Sequence, residues 1–225
     1  MATIGLVPAA GLGTRLGLTA GSKEAQPIGG RPVIEYLLDR MERASVDGVR
    51  VVVRPEKDDV AAIARRRGAE VVVGRPASAT ASFALAAEGL GVSDTVLFGF
   101  PDTIWTPIDG FRPIRAVVES GEPLALGIFD TPYAARSDVA VLGSDGRVAR
   151  IDVKPEAPAA DVVWACGGAM GSRFRELTAG MELGIALSRA ASHRSIAAVR
   201  LGRVIDVGTP EAFAAAEGDR VLEPD

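Results

Sequence analysis

At 225 residues, 48% hydrophobic and 24% charged with a formal net charge of −4, the chain is long enough for one domain with a full core and too apolar to be disordered. No apolar run nears the roughly 18–20 residues that span a bilayer, and Met1-Ala2-Thr3-Ile4 carries no basic stretch of the kind that opens a secretory signal. The mild acidity excludes a general nucleic-acid binder, which needs a broad basic face. One cysteine (Cys166) and one histidine (His193) exclude an internal disulfide, a zinc cluster and a Ser-His-Asp relay. The chain reads as a cytoplasmic protein whose chemistry rests on carboxylates, Arg, Lys and backbone groups.

Thr3 to Pro8 is a short apolar run, predicting a buried strand that enters the glycine-rich stretch Ala9-Ala10-Gly11-Leu12-Gly13-Thr14-Arg15. From Pro32, placed as a first helical residue, Val33, Ile34, Leu37, Leu38 and Met41 recur at helical spacing. Val49 to Val53 predicts a strand and Glu56 to Arg67 a helix stopped by Gly68. Strands at 69–73, 95–100 and 124–129 then alternate with helices at 80–88 and 111–118. This rhythm predicts an α/β protein with a mainly parallel sheet and helices on both faces.

The rhythm changes after Asp130. Asp138 to Leu142 and Arg147 to Val153 flank Gly143-Ser144-Asp145-Gly146, a hairpin signal. An apolar strand at 162–170, helical stretches at 174–177 and 183–190, extended segments at 196–201 and 203–207 and a helix at 210–216 complete the chain. The second half therefore reads as a β-rich elaboration of the same sheet within one domain covering 1–225.

Only three of the 25 basic residues are lysines: Lys23, Lys57 and Lys154. Either coding bias accounts for this, or Lys is kept where a compact ammonium on a flexible stem is needed. The glycine loop fails the dinucleotide-binding pattern: Leu16 stands where the third glycine belongs, and Arg54 follows the second strand in place of an acid. Small residues there let backbone N–H groups approach a triphosphate, with Arg15 and Lys23 adding charge. A structural turn with solvated basic residues satisfies the same stretch.

The segment from Val7 through Leu16, continued by Ser22-Lys23-Glu24-Ala25-Gln26-Pro27-Ile28-Gly29-Gly30-Arg31-Pro32, closely resembles the signature of sugar-nucleotide pyrophosphorylases. Thr80-Ala81-Ser82-Phe83 resembles their nucleotide-binding helix start and Phe100-Pro101-Asp102-Thr103 their metal-aspartate turn. Val153-Lys154-Pro155 resembles their sugar-site motif, and Asp206-Val207-Gly208-Thr209-Pro210-Glu211 their second metal-aspartate motif. The matches run in family order across nearly the whole chain.

The resemblance implies a Rossmann-like three-layer αβα nucleotidyltransferase that couples a nucleoside triphosphate to a sugar 1-phosphate and releases pyrophosphate. It casts Arg15 and Lys23 as catalytic and Ala9, Ala10, Gly11, Gly13, Thr14, Arg75 and Thr80 as nucleotide-binding. Asp102 and Asp206 would hold Mg²⁺, and Lys154, Gly167, Glu182 and Asp138 would bind the acceptor. Each has a plainer reading: Asp102 as a turn residue, Asp206 and Lys154 as solvated charges, Trp105 and Trp164 as core in place of stacking platforms. His193 reads as a surface helix-end residue and Cys166 as a small core residue.

Departures from the family pattern concern the acceptor. Val153 replaces the usual glutamate before Lys154, Asp138 replaces a glycine near the sugar site, Arg75 stands where related thymidylyl enzymes present Gln, and the loop from Leu16 to Lys23 is short. An unusual sugar, a cytidylyltransferase acting on a non-sugar phosphate, and a catalytically silent nucleotide-binding subunit are the alternatives. Monomer and homo-oligomer both remain open.

Overall fold

The computed structural model describes residues 1–13, 21–131, 137–160, 162–193, 196–216 and 219. The elements are, in chain order, β1 (Thr3–Pro8), β2 (Pro27–Ile28), β3 (Arg31–Pro32), α1 (Val33–Arg43), β4 (Gly48–Val53), α2 (Asp58–Arg66), β5 (Glu70–Val73), α3 (Ala79–Ala86) and β6 (Thr95–Gly99). There follow β7 (Thr103–Trp105), α4 (Phe111–Glu119), β8 (Leu124–Asp130), β9 (Val139–Leu142), β10 (Val148–Asp152), β11 (Val162–Met170), α5 (Gly171–Thr178), α6 (Leu183–Ser192), β12 (Ala197–Arg200), β13 (Val204–Asp206) and α7 (Pro210–Ala216).

Nine of the described strands form one sheet. β1 is parallel to β4 and β6, β4 to β5, and β8 to β12. β11 runs antiparallel to β6 and β8 and meets β9 at Val163, while β9 and β10 form the expected hairpin. All but β10 and β11 therefore point the same way. The reversal has a local cause: no helix is described between β8 and β11, and a parallel return would need a crossover.

Side chains alternate across the sheet with the period of two that a strand imposes. Val7, Val51, Val53, Leu97 and Ala125 face α1, α2 and α4 through Leu37, Ala64 and Ile114. Leu6, Val52, Val96, Phe98, Leu124 and Leu126 face α3, α5 and α6 through Phe83, Phe174 and Leu187. The rings of Phe83, Phe98 and Phe174 meet at centroid distances of 5.1 to 5.8 Å. Each fully buried side chain of this size contributes about 1.5–3 kcal/mol. The α/β class with helices on both faces is thus observed.

Two features differ from the sequence reading. Pro32 closes the β2–β3 pair and sits ahead of α1 instead of inside it. The stretch after β6, to which the sequence reading gave no element, forms β7, which pairs antiparallel with β13 in the register Asp206↔Thr103. Trp105 of β7 is core, packed edge-on to Phe111 at 5.4 Å and covered by the buried Arg40 at 5.1 Å. Arg40 donates from Nε to the Trp105 carbonyl at 3.0 Å and from Nη1 to the Tyr36 carbonyl at 2.7 Å.

The parallel registers Pro8↔Val52 and Leu6↔Phe98 align the carboxyl ends of β1, β4 and β6. The loops leaving those ends meet outside one sheet edge, where ligands of open α/β sheets bind.

Gly167, expected from the sequence at the acceptor site, has a packing role. It lies inside β11, where a Cβ would stand 2.4 Å from Phe98 Cζ and 2.9 Å from the Ala125 carbonyl oxygen. Its side-chain space is filled by core, so packing requires the glycine. Gly167→Ala should lower stability by about 1–3 kcal/mol through overpacking; an unshifted urea midpoint would contradict this.

Candidate active site

Ala9 and Ala10 are buried, and Gly11 is exposed at the loop's crest. Gly13 has φ +66°, where a side chain would be strained, and a Cβ there would lie 3.6 Å from Lys23 Cγ. Thr14 and Arg15 lie outside the described residues. The loop is fixed from behind by side chains leaving β4. Arg54 Nε donates to the Ala10 carbonyl at 2.9 Å. Lys57 Nζ donates to the Ala9 carbonyl at 2.9 Å and to Glu24 Oε2 at 2.6 Å. Asp59 receives both the backbone N–H and the hydroxyl of Ser22 at 2.7 Å. These groups border an open cleft of about 760 Å³ in front of Gly13 and Lys23.

Sequence reasoning singled out Lys57 only as one of three lysines, named Arg54 only as a non-acid after the second strand and Glu24 only within the loop motif, and passed over Asp59. Glu24 is fully buried, and its Oε1 has no hydrogen-bond partner. Desolvation pushes its carboxyl above the usual range, against the opposing pull of Lys57.

The two predicted metal aspartates converge. Asp102 follows β6; Asp206 ends β13, which β7 holds alongside, and the Val207 N–H donates to the Asp102 carbonyl at 2.9 Å. A Cβ on Gly208 would stand 2.8 Å from Asp206 Oδ1 and 3.7 Å from Asp102 Oδ2, so both carboxylates border one small space. Lys23 Nζ forms an ion pair with Asp102 Oδ2. Burial alone would depress the Lys23 ammonium, but Asp102, Glu24 and Asp206 together hold it above its ordinary value.

Among the described residues, no group of three or more His, Cys, Asp or Glu is placed to hold a metal. Two hard carboxylates nevertheless suit Mg²⁺, which keeps waters and takes further oxygens from substrate phosphates. Asp102 and Asp206 fit that ion.

The acceptor residues other than Gly167 also meet. A Cβ on Gly184 would stand 2.5 Å from Asp138 Oδ2 and 3.1 Å from Glu182 Oε2. Burial, aided by Glu182, raises the Asp138 carboxyl, while Lys154 opposes this with its charge and a backbone hydrogen bond. Lys154 is exposed, with φ +41°. Glu182 has a second duty, since its Oε2 accepts the Ile185 N–H at 3.3 Å and caps α6.

Thr80 is buried, and its hydroxyl accepts the Leu183 N–H at 2.9 Å, so it ties α3 to α6. Arg75 is an exposed residue paired with Glu56 at the cleft rim. Phe100 joins the two halves of the site: it precedes Asp102 by two residues, and its ring meets Trp164 at 5.6 Å. Cys166 is buried, and His193 is exposed at the end of α6.

A glycine loop, converging carboxylates and an ammonium meet at the carboxyl edge of the sheet, and the family match assigns this α/β fold to the nucleotidyltransferases. The chain belongs to the family of the MobA-like NTP transferase domain, whose model matches residues 5–149. Curated proteins yield no match to the chain.

Three solved structures share the fold. A putative glucose-1-phosphate thymidylyltransferase from Bacillus anthracis, in complex with a sucrose, superposes with a TM-score of 0.83 at 16% identity, over 97% of each chain. A UTP-bound UGPase from Acinetobacter baumannii gives 0.78 at 16% identity, over 96% of this chain and 92% of that one. A UDP-glucose pyrophosphorylase complexed with UDP-glucose gives 0.80 at 15% identity, over 96% and 97%. The resemblance to sugar-nucleotide pyrophosphorylases thus recurs as a shared three-layer fold. No described helix is long and apolar enough to cross a membrane.

Replacing Lys57 by Met should cost about 3–5 kcal/mol, because it leaves the Glu24 carboxylate buried without its counter-charge. The Lys57→Met/Glu24→Gln double variant should recover part of that loss in urea titrations; strictly additive losses would show the pair to be uncoupled.

Proposed function

We propose that the chain joins a nucleoside triphosphate to a sugar 1-phosphate or a related phosphomonoester and releases pyrophosphate. An acceptor phosphate oxygen attacks the α-phosphorus, and the bond from that phosphorus to the bridging oxygen of pyrophosphate breaks. The observation that carries the reading is the meeting of Asp102, Asp206 and Lys23 beside Gly13.

The nucleophile is already an anion, so no general base is needed, and the site contains neither the histidine nor the cysteine of the chain. The difficulty is electrostatic: at 4 Å two unit charges repel by about 4 kcal/mol at an effective dielectric of 20. Catalysis is then positioning and neutralisation. Mg²⁺ held by Asp102 and Asp206 supplies a Lewis acid for phosphate oxygens.

Ala10 to Gly13 offers backbone N–H groups to the triphosphate, and Arg54 and Lys57 keep that backbone in place. Lys23, with its stem against Gly13, offers its ammonium to the same phosphates, and Arg15 joins it by its position in the loop motif. The likeness to structures described as UTP-bound and UDP-glucose-bound supports a nucleoside triphosphate and a phosphorylated sugar or sugar-like acceptor.

Pyrophosphate release should require Mg²⁺ together with one of the four NTPs and a phosphorylated acceptor. Asp102→Asn and Asp206→Asn should each abolish it while circular dichroism stays native, and Lys23→Ala should lower kcat/KM by about 10²–10³. Turnover that survives both aspartate changes would remove the metal assignment, and wild-type kinetics in Lys23→Ala would make that lysine a bystander.

A further inference from the structure

We propose that Arg40 is a positioning residue for the carboxylate pair: from the core it fixes the outer edge of β7, and through the β7–β13 pairing it sets where Asp206 stands relative to Asp102. The proposal rests on the cation reading of that pair given above.

Arg40 is 3% exposed, and its donors go to carbonyls: Nε and Nη2 to Trp105, Nη1 to Tyr36. Its sequence neighbour Asp39 is taken by Arg31 and Arg67. Burial lowers the Arg40 guanidinium to about 10, against the pull of Asp39. Taking a guanidinium out of water without a carboxylate in contact is costly. The Tyr36 carbonyl lies one turn back on the same helix, so it steadies the side chain only. The contact that reaches another element is the one to Trp105.

β7 and β13 form a two-stranded sheet of three residues each, a unit that is marginal by itself. The Thr106 N–H donates to the Arg203 carbonyl at 2.9 Å. Trp105, one position earlier, therefore turns its carbonyl away from β13, and there Arg40 meets it with two N–H groups. The indole adds no polar anchor, since its Nε1 is buried without a hydrogen-bond partner among the described residues. Register carries the position onward: Trp105 lies opposite Val204 and Thr103 opposite Asp206. Asp102 leaves the main sheet at the end of β6, whereas Asp206 rides on the β7–β13 ribbon. Slack in the ribbon therefore changes the gap between the two carboxylates, and Arg40 is the side chain that removes it.

The test measures Mn²⁺ binding in the absence of substrates, through loss of the free ion's electron-spin resonance signal. Wild type is compared with Arg40→Met, Arg40→Lys and Leu187→Ala; Leu187 is buried on the other face of the sheet, so its truncation lowers stability without touching β7. Arg40→Met, shown to be folded by circular dichroism, should weaken Mn²⁺ binding about tenfold. It should also raise the Mg²⁺ concentration that half-saturates pyrophosphate release, while the KM for the NTP at saturating Mg²⁺ stays near wild type because the glycine loop is untouched. Arg40→Lys, which keeps a donor but loses the fork, should fall between the two, and it carries the test alone where the methionine variant does not fold. Wild-type Mn²⁺ affinity in every folded Arg40 variant, or an equal loss in Leu187→Ala, overturns the positioning role and leaves the cation reading standing. Mn²⁺ binding that survives both Asp102→Asn and Asp206→Asn overturns the cation reading itself.

Discussion

Like-charge repulsion is the constraint around which this molecule is built. The reaction class brings a triphosphate and a phosphomonoester into contact, and the fold answers at the carboxyl edge of its sheet. There Lys23 pairs with Asp102 while Asp206 lies within reach of its charge, so one ammonium partly offsets two carboxylates. An uncompensated aspartate pair would repel itself, and an uncompensated ammonium would have to be solvated. Each therefore keeps the other in place, which is what preorganisation requires of a polar site.

That balance depends on a second, deeper pair. Lys57 and Glu24 lie behind the glycine loop, and Lys57 also holds the Ala9 carbonyl. A buried ion pair gives little net stability, because desolvation offsets most of its attraction. Its value here is geometric. Glu24 immediately follows Lys23, so the contact that anchors the loop backbone also sets where the Lys23 stem begins. The β4–α2 connection thereby controls where the glycine loop and the Lys23 stem stand.

Most of the fold was legible in the sequence because its signals are local. β-branched runs mark β4 and β5, helical spacing marks α1, and a glycine-rich turn marks the hairpin of β9 and β10. The donor half of the site was legible for the same reason, since Gly13, Lys23 and Asp102 sit in short motifs. What escaped depends on pairing between distant segments. Nothing local in Thr103–Trp105 announces that it pairs with Val204–Asp206, yet that pairing brings Asp206 to Asp102. Likewise Gly167 carries no mark showing that its missing side chain makes room for Phe98.

The same contrast explains how the two halves of the site can vary independently. The donor half is set by backbone geometry at the ends of β1, β4 and β6, where a glycine, a buried pair and parallel registers leave little freedom. The acceptor half is assembled from the residue before β9, the end of the β9–β10 hairpin and the cap of α6. None of these supports the phosphate loop. An aspartate at 138 therefore adds a charge beside Glu182 while Lys23 and Asp102 keep their partners. Because Glu182 also caps α6, an acid at that position is held for stability whatever the acceptor. Asp138 likewise has local partners, a backbone hydrogen bond from Lys154 and the indole of Trp164, so both acids are tied into the fold around the cap of α6.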